Sequence, residues 1–244
     1  MRLSRKEQAE IRESFRQMRL SQKLEYIFSY YKLPIVLGLI ALIVVGDFTY
    51  RQVTKKETLL YAAYFNISMG EDLDEALTEG FVDHTGVSSK KNEVYIYRDL
   101  YLSQDPGTEN HQYAYASRLK LLAAIEAKKL DVVLMNQEAY DILSQNEYLY
   151  DIPSILAQNE SLSLYLEPYL TTNTVILEDN AIEYNLNEAD AYEAVTTQAV
   201  NGIDVSTFPL FQNAGFSGSV YLGVIANSPR LSTVFQYMAY LAAA

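Results

Sequence analysis

Apolar positions divide this chain into one long unbroken run and a series of short ones. The long run is Ile27 to Val45, nineteen residues with a single charge, Lys32. As a helix rising about 1.5 Å per residue it would reach roughly 28 Å, close to the hydrocarbon thickness of a bilayer. The pattern predicts a transmembrane helix over 27–46, with Pro34 in its first apolar turn, where a missing N–H does least harm. A buried core helix is the competing reading. The flanking charges argue against it, as does the lack of a second such run to build a core with. Before the run, residues 1–26 form a basic segment with Ile11, Phe15, Met18 and Leu24 near helical spacing. It reads as an amphipathic topology signal, or as a helix lying on anionic headgroups. After the run, Asp47 to Glu57 is polar and reads as a stalk.

From residue 58 the short runs alternate in period. Thr58–Phe65 fits a buried strand, and Glu71–Asp83 carries a helical stripe of Leu73, Ala76, Leu77, Phe81 and Val82, weakened late by Gly80. Val94–Tyr97 is a second strand. His111–Lys128 follows a turn-rich 102–110 as a helix, with Leu119, Leu122, Ala123 and Ile125 expected in the core. Leu130–Met135 is a third strand, and Asn136 is placed to cap a helix over Gln137–Gln145. Further on, Leu162–Leu170 is amphipathic, Thr174–Leu177 and Ser219–Ala226 read as strands, and Glu188–Val200 reads as helical from its small residues. Val205–Phe211 suits an edge or loop segment. Ser228 and Pro229 offer a start to a last helix over Leu231–Leu241. The alternation predicts an α/β domain over 58–244, with a parallel-rich sheet flanked by helices. Residues 150–220 are the expected place for a small second lobe.

Charge gives the apolar run a direction. The net charge of −12 divides into +4 over residues 1–32 and −16 over 33–244. Positive residues stay on the cytoplasmic side of a spanning helix, so the N-terminus is expected in the cytoplasm and the C-terminal domain outside the cell. The acidic domain should repel polyanions, which disfavours binding, so no nucleic acid is expected as a partner. The residues after the run, Val45-Gly46-Asp47-Phe48, lack a small-x-small cleavage site, so an uncleaved, single-pass signal-anchor is favoured over a cleaved leader. With no cysteine in the chain, disulfides, zinc–thiolate sites, thiol nucleophiles and lipid attachment through cysteine are all excluded.

Candidate chemistry is sparse. Neither His84 nor His111 has a partner at ligand spacing, and no nucleophile elbow, phosphate-binding glycine loop or zinc-protease motif occurs. The sequence therefore points to a domain that is not an enzyme and calls for no cofactor or metal. In open α/β sheets ligands bind beyond the carboxyl ends of the strands. Those ends supply Asn66 and Ser68, Arg98, and Asn136 and Gln137; Asn227 follows the late strand. These six are the candidate ligand-binding residues. Arg98 suits a carboxylate or phosphate on a ligand, or equally an ion pair with Asp99 or another nearby acid. Among the twenty-one tyrosines, Tyr64, Tyr97 and Tyr101 lie near strand ends, where they could stack on a ligand. The acidic run Glu71-Asp72-Asp74-Glu75 reads as a solvated helix start.

The stretch Leu130-Asp131-Val132-Val133-Leu134-Met135-Asn136-Gln137-Glu138, followed by Tyr148-Leu149-Tyr150-Asp151-Ile152, resembles the solute-binding proteins of ABC transporters with the type II periplasmic-binding fold. Tyr221 to Arg230, followed by Phe235 and Leu241, resembles the late strand and helix by which those chains return to their first lobe. The membrane junction, Lys23-Leu24-Glu25-Tyr26-Ile27 with Tyr30-Tyr31-Lys32, is similar to that of membrane-anchored proteins of Gram-positive anaerobes. The resemblance implies an extracytoplasmic, solute-binding-like domain held at the cell membrane by Ile27–Val45, with a small-molecule ligand and an ABC permease as partners. The alternative is an accessory or scaffold subunit of a membrane complex such as an ABC-type exporter. The chain departs from the family in its short outer domain, its lack of tryptophan, and Asn136 where the family commonly has Asp.

Overall fold

A computed structural model describes residues 19–105, 110–179, 194–212 and 214–243. The expected cytoplasmic segment up to residue 18, and the part of the 188–200 helix before Ala194, lie outside the described residues. The chain forms two compact units, divided between Lys55 and Lys56.

The first unit contains a single 35-residue helix, α1, Leu20–Thr54. Its stretch Lys32–Tyr50 is long and apolar enough to cross a membrane, and none of it is buried. Leu33, Leu42 and Ile43 are each about 70 % exposed, so the run is not the core helix of a globular fold. The apolar window sits five residues later than expected. Pro34 lies well inside the helix instead of in its first turn. Such an interior proline removes one ladder hydrogen bond, a loss that membrane helices tolerate. Most of the expected stalk is helical too. Thr49 and Thr54 return their hydroxyls to the carbonyls of Val45 and Tyr50, both at 2.7 Å, so the polar end of α1 satisfies itself. Only Lys55 and Lys56 separate α1 from the first strand.

The second unit is one six-stranded mixed sheet. Its strands are β1 Glu57–Phe65, β2 Asn92–Leu100, β3 Val132–Met135, β4 Leu170–Asp179, β5 Ala194–Asp204 and β6 Tyr221–Val224, in the order β2-β1-β3-β6-β5-β4. β2, β1 and β3 are parallel, as the alternation implies. β6, β5 and β4 pair antiparallel, so the sheet is half parallel. Central β3 is buried at all four positions, which follows from cover on both faces.

On one face Leu60, Ala62, Tyr64, Val132, Leu134 and Leu222 meet three groups of helices. The first is α2 (Glu71–Glu75), continuing through a π-helical turn (Ala76–Gly80) into α3 (Phe81–His84). The second and third are α6 (Ile152–Leu156) with α7 (Glu160–Leu166), and the C-terminal helix, Leu231–Ala243. The opposite face packs Ala63, Phe65, Val133 and Met135 against α4 (His111–Glu126) and α5 (Gln137–Gln145). α8 is a short helix, Pro209–Gln212, and the C-terminal helix is α9.

Four expectations are corrected. Residues 194–200 are strand, not helix: Val195, Thr196, Thr197 and Val200 are β-branched and pair along β4. The 205–211 segment ends in helix, and Phe208 and Phe211 enter the core. In α4 the inward positions are Ser117, Leu121 and Ala124, while Leu119 is half exposed. Ser117 is buried because its hydroxyl accepts the Tyr101 N–H at 3.1 Å. The last helix starts at Leu231, so Ser228 lies before its cap position; its hydroxyl accepts the Arg230 N–H at 3.3 Å and donates to Asp131.

No second lobe forms from the described part of 150–220. α6 and α7 pack into the first core, and β4–β5 extends the same sheet. A buried polar chain fixes that hairpin to α5. The Tyr140 hydroxyl donates to Asn201 Oδ1 (2.8 Å), Asn201 Nδ2 donates to Ser144 Oγ (2.7 Å), and Ser144 donates to the Thr174 carbonyl (2.8 Å). Gly202 makes room for it, since a Cβ there would lie 2.5 Å from the Tyr140 hydroxyl.

Burial pushes Tyr140 up to about 12, and burial raises Tyr237 and Tyr64 as well. A folded-state pKa above the unfolded value means stability is full below about pH 10 and is lost as pH rises through the folded value. The urea midpoint should therefore hold from neutral pH to about pH 9 and fall steeply above about 10. Tyr140→Phe should flatten part of that fall, as read by far-ultraviolet circular dichroism.

Candidate functional site

The carboxyl ends of β1 and β2 open on a cavity of about 330 Å³ lined by Tyr64, Ile67, Ser68, Met69, Glu71, Asp74, Arg98 and Asp99. A second hollow of about 650 Å³ lies on the other side of α2, between Gly70–Ala76 and Pro209–Ala214, and shares Glu71. Both are where the open-sheet rule places a ligand.

Backbone irregularity builds the first cavity. Asn66 ends β1 with φ 57°, and Asp99 has φ 57° within β2. Asn and Asp tolerate this left-handed conformation better than most residues. The pairing register slips here: Ala63 faces Tyr97, but Phe65 faces Leu100. β2 therefore bulges at Arg98–Asp99, a device that re-aims side chains near sites. Arg98 is turned onto α2, where Nε and Nη2 meet the two Asp74 carboxylate oxygens at 3.2 and 2.6 Å. That hydrogen-bonded carboxylate holds the guanidinium even more firmly protonated than usual. The Tyr113 hydroxyl donates to the Asp99 carbonyl and steadies the bulge.

Tyr64 forms the cavity's floor. It is 2 % exposed, and its hydroxyl makes no well-formed hydrogen bond. Its pKa is raised, first by burial, then by Tyr237 and by the nearby Asp74 carboxylate, which acts through its charge and as a weak hydrogen-bond acceptor. A buried hydroxyl without a partner costs free energy and marks a place where a polar group is missing.

The structure gathers only part of the expected set. Ser68 and Arg98 line the cavity. Asn66 is engaged with Leu102, donating to its carbonyl (2.7 Å) and accepting its N–H (2.8 Å). Asn136 caps α5 by accepting the Ala139 N–H at 3.0 Å, as predicted. Gln137 is exposed and bonds Asp141 within the same helix. Asn227 does not belong with the others. β6 runs antiparallel to β3, so its carboxyl end lies at the opposite edge of the sheet, where Asn227 donates to the Ile125 carbonyl. Of the tyrosines, Tyr64 lines the cavity, while Tyr97 packs edge-on against Tyr95 with Lys120 over its ring.

Sequence reasoning missed Asp74 and Glu71, which it took for a solvated helix start. The signal was available: in a parallel pair the helix after β1 begins beside the end of β2, so an acid in its first turn faces Arg98. No protein-family model, curated protein or solved structure matches this chain.

Proposed function

We propose that the chain is a membrane-anchored, non-catalytic binding module that captures a small polar ligand in the cavity at the ends of β1 and β2. The observation that carries this reading is the buried hydroxyl of Tyr64, which makes no well-formed hydrogen bond and lines the same cavity as Ser68, Arg98 and Asp74. Glu71, Asp74 and Asp99 outnumber Arg98 around the cavity, so a neutral ligand or one bearing an amine suits it better than the anion expected for Arg98 alone. The parallel β2-β1-β3 order and the return of the chain through β6 onto β3 are in keeping with the first lobe of a solute-binding protein. The charge asymmetry supports a cytoplasmic N-terminus and an extracellular domain.

A second reading rests on a separate observation. A clamp needs two lobes, and the described residues of Lys56–Ala244 make one. On that reading the domain is an accessory subunit of a membrane complex such as an ABC-type exporter, and a permease partner supplies the opposing surface.

Thermal-shift screening of the full chain in detergent against amines, amino acids, small oligosaccharides and small anions tests the first reading. A binder present at a hundred times its Kd should stabilise by about 2.7 kcal/mol. Tyr64→Phe should abolish that shift while making the unliganded protein about 1 kcal/mol more stable, since it removes an unpaired buried hydroxyl. A panel without any stabilising compound, together with a ligand-independent permease on co-purification, would replace the first reading with the second.

A further inference from the structure

Beyond Thr54 the chain has seven lysines, and six of them fall in three adjacent pairs: Lys55-Lys56, Lys90-Lys91 and Lys128-Lys129. Each pair lies just before one of the three parallel strands: β1 begins at Glu57 and β2 at Asn92, directly after their pairs, and β3 at Val132, with Leu130 and Asp131 between it and Lys129. Because those strands are parallel and adjacent in the order β2-β1-β3, the three pairs are collected along one edge of the sheet. The Glu57 N–H bonds the Lys91 carbonyl at 2.7 Å, which fixes two of the pairs side by side. All six lysines are exposed, and none joins an ion pair among the described residues.

This edge stands out against the rest of an acidic domain. Arg230 is also there, reaching the Lys128 carbonyl, but its charge is taken up by buried Asp131. Along the parallel half of the sheet Glu57, Asp83, Glu93, Glu126 and Glu147 share this edge, fewer than the six lysines; Glu178 lies on the same side at the far end of β4. The opposite edge carries Glu71, Asp72, Asp74, Glu75, Asp99 and Glu138 against Arg98. A helix dipole accounts for lysines after α1 and α4, but Lys90-Lys91 follows a turn and has no such cause. Beside that pair, Val87 is 39 % exposed in the Gly86–Ser89 turn. Basic residues around an exposed apolar one are the composition of a lipid-interface contact.

The chain itself brings this edge to the bilayer. Four residues of α1, 51 to 54, follow Tyr50, the end of the apolar stretch, and two more lead into β1. Six residues span at most about 20 Å even fully extended. Screening at physiological salt has a length of about 8 Å, so lysines at this edge lie within a few screening lengths of the headgroups. The tether keeps the local lipid concentration high.

We propose that the three lysine pairs form a docking edge for anionic lipid, which seats the sheet's amino edge on the headgroups and leaves the cavity at the carboxyl edge facing away. This inference rests on the anchor reading above and is independent of whether the cavity binds a ligand.

Because the chain has no cysteine, one introduced cysteine carries one label. The full chain is labelled at Ser89→Cys, or at Thr207→Cys on the opposite edge. It is reconstituted in vesicles of phosphatidylcholine alone or mixed with phosphatidylglycerol, each with a headgroup spin-labelled lipid as quencher. With phosphatidylglycerol, quenching at Ser89→Cys should rise at least threefold, should be lost at high salt, and should be absent in a variant with Lys90, Lys91, Lys128 and Lys129 changed to Gln. The Thr207→Cys label should not respond. Flotation separates the two failures. A chain that does not float with vesicles overturns the anchor and the docking edge together. A chain that floats with equal quenching in both lipids, or with salt-insensitive quenching, overturns the docking edge alone. The salt titration uses the native lysines, so the result stands even where the glutamine variant folds poorly.

Discussion

Asp131→Ala should cost the domain about 3–5 kcal/mol, read as a lower urea midpoint at unchanged slope. Asp131 is fully buried and is completely engaged. Oδ2 accepts the Tyr61 N–H and Arg230 Nε, both at 2.8 Å, and Oδ1 accepts the Ser228 hydroxyl at 2.6 Å. Removing the carboxylate strands an amide, a hydroxyl and a guanidinium in one step. Arg230 cannot simply swing into water, because it also donates to the Lys128 carbonyl at 2.6 Å and lies over the Tyr61 ring at 4.7 Å. The penalty is the cost of leaving a partly buried cation unpaired, and it exceeds what the intact pair contributes relative to an apolar replacement. Replacing Asp131 and Arg230 together with apolar residues should accordingly cost less than Asp131→Ala alone. A double variant as unstable as the single one would show that the charge is not the cause. The network joins β1, the start of β3 and the turn after β6, so it closes the returning chain onto the parallel half of the sheet.

That closure marks the boundary of what the sequence reveals. The parallel half was legible because each strand there is a compact apolar run followed by an amphipathic helix. β1, β2 and β3 fall where periodicity placed them, and Asn136 caps α5 as its position implies. In the antiparallel half β4 and β6 were legible as short apolar runs, but β5 was not, because it is exposed over much of its length and its residues carry no period-2 signal. Val195, Thr196 and Thr197 become strand only through pairing with β4, a long-range cause that a local pattern does not contain. The candidate site followed the same division. The strand-end rule found the correct edge, and with it Ser68 and Arg98. It also drew in Asn227, because the rule assumes a parallel strand and β6 is antiparallel. Tyr64 reads from the sequence as an ordinary strand tyrosine, and its missing hydrogen bond is visible only once its neighbours are placed.

Phe81→Ala should be comparably damaging, about 3–5 kcal/mol, and should also reach the site. Phe81 is fully buried, edge-on to Tyr237 with centroids 4.9 Å apart and tilted against Tyr240 at 5.7 Å. The two tyrosines hold the π-helical turn just before it. Tyr240 donates to the Ala76 carbonyl at 2.8 Å, and Tyr237 to the Leu77 carbonyl at 3.3 Å. Side chains inserted at a helix's carbonyls are a recognised cause of such wide turns. Gly80 is required there, since a Cβ would lie 2.6 Å from the Tyr240 hydroxyl. Emptying the Phe81 site leaves both rings without the surface that orients them, so the wide turn should relax toward regular helix. α2 would then rotate, and Asp74 with it, breaking the fork that holds Arg98. Phe81→Leu keeps most of the volume and should cost less than about 1.5 kcal/mol. Hydrogen exchange on the two variants separates the effects. In Phe81→Ala, loss of protection should run from Glu71 through His84 and into the bulge at Arg98–Asp99. In Phe81→Leu it should stay within the helix. Protection at Arg98–Asp99 that survives Phe81→Ala would mean the cavity wall is set by β2 alone, and the π-turn would have no part in positioning Asp74.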